Sequence, residues 1–192
     1  MSDPVSAKPV SALGGATFDG FAKVREIGPW GMITLRAKPG TKGLDKAVKA
    51  AVGTGLPAVR RMEWSGDADT GRGCGWMSPD EYLLVLPYAE VATAIAALEK
   101  ALQGQHFLAA DVSDARAIFR IEGAKAGQVL AKLCPADLDR MEPGALRRPR
   151  VAQVAGAFWG DASGYTLVTF RSVAGYVMGL LSHSAMAGSE LG

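Results

Sequence analysis

Residues 76–87 read WMSPDEYLLVLP, and residues 159–170 read WGDASGYTLVTF. In both segments a tyrosine follows the tryptophan after six residues, and a Leu-Val pair follows the tyrosine after one further residue. The two segments are 83 residues apart in the chain. The same offset of 83 relates the apolar residues of the two helical patterns that follow them, which begin near Val91 and Ala174. Similarity in sequence, spacing and order at a fixed offset indicates an internal duplication.

The apolar periodicities around these segments predict alternating strands and helices. The predicted strands are 32–36, 59–64, 81–86, 107–112, 115–121, 151–159 and 165–170, and the predicted helices are 44–51, 91–102, 126–133 and 173–181. The order strand, helix, strand, strand, helix occurs twice. The sequence therefore predicts an α+β fold of two ferredoxin-like βαββα units, with antiparallel or mixed sheets and helices over one side of each sheet. Trp76 and Tyr82 are expected to superpose on Trp159 and Tyr165.

Residues 115–121 and residues 71–75 each have a local pattern that predicts their structure. In residues 115–121 the apolar Ala117, Phe119 and Ile121 alternate with Arg116, Arg120 and a following glutamate, which is typical of a strand with one buried face. Residues 71–75 read GRGCG, but no strand precedes them and no helix follows. A nucleotide-binding glycine loop needs both, so these residues are interpreted as a flexible hairpin connection.

The chain divides by composition into four parts: an extended arm (1–22), a first unit (23–104), a second unit (105–185) and a tail (186–192). The arm is rich in Ser, Ala, Gly and Pro, and its apolar residues have no helical or strand period. Such a segment needs another surface to supply burial. We therefore expect part of the arm, residues 10–21, to lie in a groove between its own domain and a partner, with Leu13, Phe18 and Phe21 as the buried side chains.

Composition and charge argue against several classes of partner. Lys and Arg total 21 against 19 for Asp and Glu, and a net charge of +2 gives no field strong enough to recruit nucleic acid. The sequence has no signal-peptide pattern and no apolar run of membrane-spanning length, so no membrane association is expected. Cys74 and Cys134 lack a neighbouring Cys or His at metal-ligand spacing and are expected to be buried thiols. The predicted location is cytoplasmic.

The search for reactive residues predicts no catalytic, cofactor-binding or metal-binding residue in this chain. The two histidines, His106 and His183, have no nucleophile or carboxylate at a recognisable spacing and are assigned to the surface. Four aspartates near the predicted strand and helix ends are interpreted as turn residues rather than a general acid–base pair, namely Asp111, Asp114, Asp137 and Asp139.

A family resemblance lies in residues 111–138. They contain Asp-Val-Ser (111–113), Phe-Arg-Ile-Glu-Gly (119–123) and Val-Leu-Ala-Lys-Leu-Cys-Pro-Ala-Asp-Leu (129–138). This order of a turn, strand, glycine, helix and Asp-Leu resembles the early motif of the glycine-cleavage T-protein superfamily of folate-binding proteins. Together with residues 76–84 and 170–177, the pattern from about residue 11 to 182 resembles the gamma subunit family of heterotetrameric sarcosine oxidases.

The resemblance implies a T-protein-like fold and a non-catalytic role. In that family the complex oxidises sarcosine to glycine, forms hydrogen peroxide and passes the one-carbon unit to tetrahydrofolate. FAD, FMN, NAD and tetrahydrofolate are then expected in partner subunits, and the gamma subunit is expected to contact alpha directly within a complex that also holds beta and delta. This sequence ends where a full T-protein would continue, so no folate-binding residue is carried over.

Two other functions compete with this interpretation. One is a stand-alone folate-binding or aminomethyl-transferring protein, which requires a concave site with a functional carboxylate. The other is an unrelated interaction module, which the absence of a neighbouring flavin amine oxidase gene would favour. A folate titration of the purified chain separates the first of these from the subunit role.

Overall fold

Two antiparallel β-sheets stacked face to face form the centre of the molecule in a computed structural model that describes residues 8–192. A pair of helices packs on the outer side of each sheet, so the layers run helices, sheet, sheet, helices. The strands are β1 (Thr17–Asp19), β2 (Lys23–Ile27), β3 (Gly31–Ala37), β4 (Met62–Ser65), β5 (Arg72–Ser78), β6 (Glu81–Leu86), β7 (Phe107–Asp111), β8 (Arg116–Glu122), β9 (Leu146–Arg147), β10 (Arg150–Val151), β11 (Val154–Asp161) and β12 (Gly164–Phe170). The helices are α1 (Leu44–Val52), α2 (Val91–Ala101), α3 (Ala126–Ala131) and α4 (Ala174–Ser184).

The strand orders confirm the duplicated α+β architecture. The first sheet has the order β4-β5-β6-β3-β7, and the second has β1-β2-β8-β12-β11-β10, with β9 also paired to β11. The unit β3-α1-β5-β6-α2 therefore matches β8-α3-β11-β12-α4 element by element. In both units the first strand lies at the edge of its own unit, and the hairpin formed after the first helix pairs with it through its second strand.

Each half of the chain contributes one strand to the sheet of the other half. β7, from the predicted second unit, pairs with β3, and β2, from the predicted first unit, pairs with β8. A βαββα unit leaves the outer edge of its first strand unpaired, and this exchange supplies a partner for both edges. Whether the chain divides into domains at residues 104 and 105 stays a prediction, but the sheets share strands across that point.

The tyrosine pair of the repeat is structurally equivalent, whereas the tryptophan pair is shifted by one residue. Tyr82 and Tyr165 both pack on the helix-covered side of their sheets. Trp76 pairs with Tyr82, but Trp159 pairs with Thr166, one position beyond Tyr165. A bulge after Trp76 accounts for this difference, because an extra residue reverses the side on which a side chain points. The expected superposition of the tryptophans is therefore wrong in register, although β5 and β11 are equivalent strands.

The GRGCG segment belongs to β5, so its interpretation as a flexible hairpin connection is wrong. Gly73, Cys74 and Gly75 are buried in the sheet. A Cβ atom at Gly75 would lie 2.8 Å from Leu146 Cδ1 and 2.9 Å from Met62 Sδ. Both atoms end flexible side chains that can shift, but a Cβ atom at Gly73 would overlap the backbone carbonyl oxygen of Glu63, so glycine is required at position 73.

Three groups of buried residues hold the layers together. One lies between the second sheet and α3 and α4, another lies between the first sheet and α1 and α2, and the third lies between the sheets. The third group includes a series of aromatic contacts in which the ring centroids of Trp30 and Trp64 are 5.3 Å apart and those of Trp64 and Trp159 are 5.8 Å apart. Three of the four tryptophans thus anchor the sheet interface. Within residues 8–192, no helix is long and apolar enough to cross a membrane.

Candidate partner interface

The described part of the arm, residues 8–22, packs on its own chain. Thr17–Asp19 forms β1 and pairs with β2 at the edge of the second sheet, a strand that the apolar pattern of the arm did not predict. Leu13, Phe18 and Phe21 are each half-buried against the core under α3 and α4. Residues 1–7 of the predicted arm lie outside the described residues.

A buried carboxylate holds the first part of the arm. Glu26 on β2 is 5% exposed and accepts backbone N–H bonds from Leu13 and Gly15 at 2.9 Å each. The Ser11 hydroxyl also donates to Glu26 at 2.8 Å. From the other side, the Arg171 guanidinium donates to the carbonyl oxygen of Val10 at 2.9 Å. Charge-assisted bonds of this kind fix the path of residues 10–15.

The end of the arm is held against the C-terminal region. The Phe21 N–H donates to the Ala185 carbonyl at 2.9 Å, and the Lys132 ammonium lies 4.9 Å from the centre of the Phe21 ring. The same ammonium donates to the Ser184 carbonyl at 2.7 Å and also to the Ser189 carbonyl. The arm and the predicted tail are therefore both bound to the second half of the chain.

These contacts form the side of the expected groove that belongs to this chain, and the partner side stays a prediction. The arm obtains its burial from its own core, because Glu26, Arg171 and the α4 end bind its backbone. The remaining half-exposed surfaces of Leu13, Phe18 and Phe21 are what a partner would contact. Their part in such an interface stays a prediction.

The histidines lie on the surface of the described chain, and the cysteines lie in its core. Among the described residues, no group of three or more His, Cys, Asp and Glu side chains could hold a metal ion. His106 and His183 are exposed. Both cysteines are buried and reduced, and burial raises the pKa of the Cys74 and Cys134 thiols above the usual range. A thiol kept protonated in this way is a poor nucleophile.

The aspartates of the second half act in turns and local pairs. Asp111 accepts from the Ser113 N–H at 2.9 Å, and Asp114 accepts from the Tyr88 hydroxyl at 2.8 Å. Asp137 accepts weakly from the Arg140 N–H at 3.4 Å. Asp139 is exposed. These positions agree with the interpretation as turn residues.

The structure also contains a buried charged residue that the sequence pattern assigned to the solvent side of β8. Arg120 is 0% exposed, with its Nη2 2.6 Å from Asp161 Oδ1 and its Nη1 3.1 Å from the Thr166 hydroxyl. The expectation of one buried face is wrong because the first sheet covers the other face of β8. The signal available in the sequence was Ile118, an apolar residue on the same side as Arg116 and Arg120.

The carboxylates around Arg120 are stabilised as anions. A hydrogen bond from Arg25, at 2.9 Å, is the main cause that lowers the pKa of Glu122 below its ordinary value. Burial opposes ionisation of Asp161, but hydrogen bonds from Arg120 and Ser163 outweigh it and lower the pKa of that carboxyl as well. Arg25 also pairs with Asp69 at 2.9 Å, which links the second sheet to the loop between β4 and β5.

A cavity of about 880 Å³ opens beside this network. Its walls are residues 123–128, the turn 161–164, residues 136–139 and the C-terminal Leu191 and Gly192. Asp161 in this wall is already engaged by Arg120, and the other acidic side chains are exposed turn residues. The cavity therefore offers no activated acid, base or nucleophile among the described residues that line it.

The fold class follows from a solved structure. The chain superposes on glycine cleavage system aminomethyltransferase T from Bartonella henselae with a TM-score of 0.63, over 84% of this chain and 45% of the other. The two sequences are 15% identical, so this likeness establishes a T-protein-like fold alone.

The sequence comparison is more specific. Residues 36–185 match the sarcosine oxidase, gamma subunit family, and the chain belongs to this family. It is 35% identical to sarcosine oxidase subunit gamma of Arthrobacter sp over 77% of this chain and 72% of that protein. It is 38% identical to the subunit of the same name from Corynebacterium sp. (strain U-96) over 65% of this chain, but that match spans only 58% of the relative's length.

A second solved structure is similar over almost the whole chain. It is a chain of heterotetrameric sarcosine oxidase from Corynebacterium sp. U-96, in complex with pyrrole 2-carboxylate. The TM-score is 0.74 at 29% identity, and the superposition covers 88% of this chain and 87% of that one. A protein of similar length and fold thus occurs within a multi-subunit oxidase.

Proposed function

We propose that this chain is the non-catalytic gamma subunit of a heterotetrameric sarcosine oxidase, and that it binds and stabilises a larger subunit. The observation that carries the proposal is the superposition at TM-score 0.74, which covers 87% of a chain from such an assembly. The family assignment of residues 36–185 supports it. The direct partner is the alpha subunit, within a complex that also contains beta and delta.

The reaction belongs to the assembly. The complex oxidises sarcosine to glycine with formation of hydrogen peroxide and passes the one-carbon unit to tetrahydrofolate. FAD, FMN, NAD and tetrahydrofolate bind to the larger subunits. In support, the thiols of this chain are buried, its histidines are exposed, and Asp111, Asp114 and Asp137 make local hydrogen bonds at or beside turns. Its proposed role is structural, at a cytoplasmic location.

Co-expression tests the proposal. An affinity-tagged chain is co-expressed with the candidate flavin amine oxidase subunits and purified, and peroxide formation from sarcosine is measured. The expected result is a stable coloured complex that is active, whereas the chain purified alone is colourless and inactive. A tagged chain that retains none of the co-expressed subunits would contradict the proposal. Saturable binding of tetrahydrofolate to the isolated chain would instead favour the stand-alone folate-binding function.

The predicted contacts of the arm need a separate variant. Because Phe18 lies on the edge strand β1 and is only half-buried, Phe18→Ser is expected to weaken retention of the partner more than it lowers the stability of the isolated chain. Retention by affinity purification and a thermal melt of the chain alone are compared. Equal retention at unchanged stability would remove Phe18 from the interface.

A further inference from the structure

A small cleft opens at the margin of the core between the two sheets. Its lining comes from both sheets, and Leu83 of β6 and Val168 of β12 belong both to the cleft and to the buried group between the sheets. Beyond these two side chains the lining becomes polar and charged, with Arg116 at the start of β8 and Glu81 at the start of β6. The volume is about 60 Å³, or roughly the share of two water molecules in the liquid.

Arg116 in this cleft is a half-buried cation without an acidic partner. Its guanidinium carbon lies 4.3 Å above the centre of the Phe170 ring, which is opposite it in the β8–β12 pairing. Within residues 8–192 no hydrogen bond or ion pair to this guanidinium is formed. Burial lowers the pKa of Arg116, the nearby Arg148 lowers it further, and Glu81 only partly compensates. A buried guanidinium is normally paired, so this one is unusual.

The one carboxylate in the cleft is already occupied. Glu81 is 8% exposed and lies 2.9 Å from Arg148 Nη1 and 3.4 Å from Arg36 Nη2. Arg36 has a second, looser contact with Asp80 at 3.5 Å. Three arginines therefore share two carboxylates around the cleft, and the positive charge of Arg116 is the one left over. The local charge is complementary to an additional carboxylate.

The rim beside Arg116 is apolar. Phe170 is 45% exposed at the end of β12, and Val10, whose carbonyl is bound by the next residue, Arg171, is 63% exposed. Arginine and aromatic side chains are the residue types enriched at the energetic centres of protein interfaces. A guanidinium stacked on an exposed ring presents both kinds of contact at one place.

We propose that this cleft, formed by Arg116, Phe170 and Glu81, receives an acidic side chain of the partner subunit. The carboxylate pairs with Arg116, and an apolar group next to it packs on Phe170. The inference rests on the proposed function for the existence of a partner, but the cleft itself is identified from the geometry of this chain. The Arg116 guanidinium has already lost part of its hydration in the free chain. A carboxylate that pairs with it therefore restores electrostatic stabilisation with less further desolvation of the guanidinium.

The main test replaces Arg116 by methionine, an unbranched side chain that retains the bulk of the aliphatic part of Arg116 and removes the charged guanidinium. Binding of the purified chain to the co-expressed partner subunits is measured over a series of salt concentrations. Truncation of one member of a desolvated charge pair lowers affinity by about 30-fold or more in well-buried cases, so a half-buried pair predicts at least about tenfold. Arg140→Met is the matched control, because the Arg140 side chain is 88% exposed and pairs only with Asp137.

A second pair of variants keeps the test independent of any folding defect in Arg116→Met. Phe170→Ser removes the stacking surface, and Tyr176→Ser on α4 removes an aromatic ring of nearly equal exposure, 45% against 44%. The expected result is a loss of several-fold for the first and no change for the second. The salt dependence of binding should also become weaker in Arg116→Met than in the wild-type chain.

The outcomes separate the two proposals. If the wild-type chain does not bind the partner subunits at all, the proposed function fails. If wild type binds and Arg116→Met and Phe170→Ser bind equally well, the function stands and the cleft proposal is overturned. Acetate is the probe for a small-anion site: saturable acetate binding that disappears in Arg116→Met, combined with unchanged partner affinity, would also overturn the docking role.

Discussion

Arg116 and Arg120 lie on the same strand, four residues apart, and therefore on the same face, yet their surroundings differ. Arg120 is 0% exposed and is held by Asp161 and Thr166 of its own chain. Arg116 is half-buried and stacks on Phe170 without a carboxylate of its own. The chain pairs one buried guanidinium with its own acceptors, although Arg120 Nε has no hydrogen-bond partner among residues 8–192, and supplies no such carboxylate to the other guanidinium. Arg120 thus stabilises the fold at one end of β8, whereas Arg116 at the other end is the residue that we propose contacts a partner subunit.

The largest expected effect comes from removing the partner of Arg120. Asp161→Ala leaves the buried Arg120 guanidinium with one longer ion pair, to Glu122 Oε1 at 3.6 Å from Nε. It also removes bonds to the Ser163 and Gly164 N–H groups of the turn. We expect a loss of about 2–3 kcal/mol in the free energy of unfolding, measured in urea, since Asp161 is partly exposed and its pair is screened. Asp139→Ala, at an exposed turn residue, is the control and should change little.

A second buried charge, Glu26, predicts a smaller and local effect. Glu26→Gln keeps the shape but loses charge-assisted bonds to Leu13, Gly15 and Ser11, so residues 11–15 should detach more readily. The free energy needed to detach residues 11–15 from the sheet should decrease by about 1–2 kcal/mol. Hydrogen exchange at residues 11–15 measures it, with the exposed Glu99→Gln as control. Unchanged exchange would mean that β1 alone holds the arm.

The acid sensitivity of the chain should come from the Arg120 end of β8. The folded-state pKa values of Glu122 and Asp161 are lowered, so their contribution to stability is present above the ordinary values of 4.5 and 3.8 and is lost as the pH falls through the lower folded values. Stability should therefore decrease below about pH 4.5. Glu122→Gln should reduce this decrease in urea titrations at several pH values. An equal decrease in the variant would place the acid sensitivity elsewhere.

The smallest effect is expected at Arg116. Because this guanidinium has no ion pair within the described residues, Arg116→Met should leave the stability of the isolated chain unchanged or raise it by a few tenths of a kcal/mol. A thermal melt beside wild type measures it. A loss as large as that of Asp161→Ala would end the contrast between the two arginines and assign Arg116 a structural role.

Much of the architecture was predictable because it depends on local patterns. The strand 81–86 and the helices beginning at residues 44 and 91 agree with their apolar periods, and the Tyr82 and Tyr165 pair is structurally equivalent. β5 was missed because its two glycines are typical of a loop, whereas the Glu63 carbonyl oxygen leaves no room for a side chain at Gly73 and the Met62 and Leu146 side chains pack closely over Gly75. β1 was missed because three residues are too few to define a period.

The candidate site was less predictable because it depends on contacts between residues that are far apart in the sequence. The sequence by itself determined the duplicated units, the absence of a recognisable reactive motif and the family, since each depends on the order and spacing of residues along the chain. Only the tertiary structure decided which charges are paired: Arg116 and Arg120 occupy equivalent places in the alternation of β8, and their difference arises from Asp161 on one side and Phe170 on the other. The exchange of β2 and β7 was also decided in three dimensions, because an unpaired edge is satisfied by whichever strand reaches it.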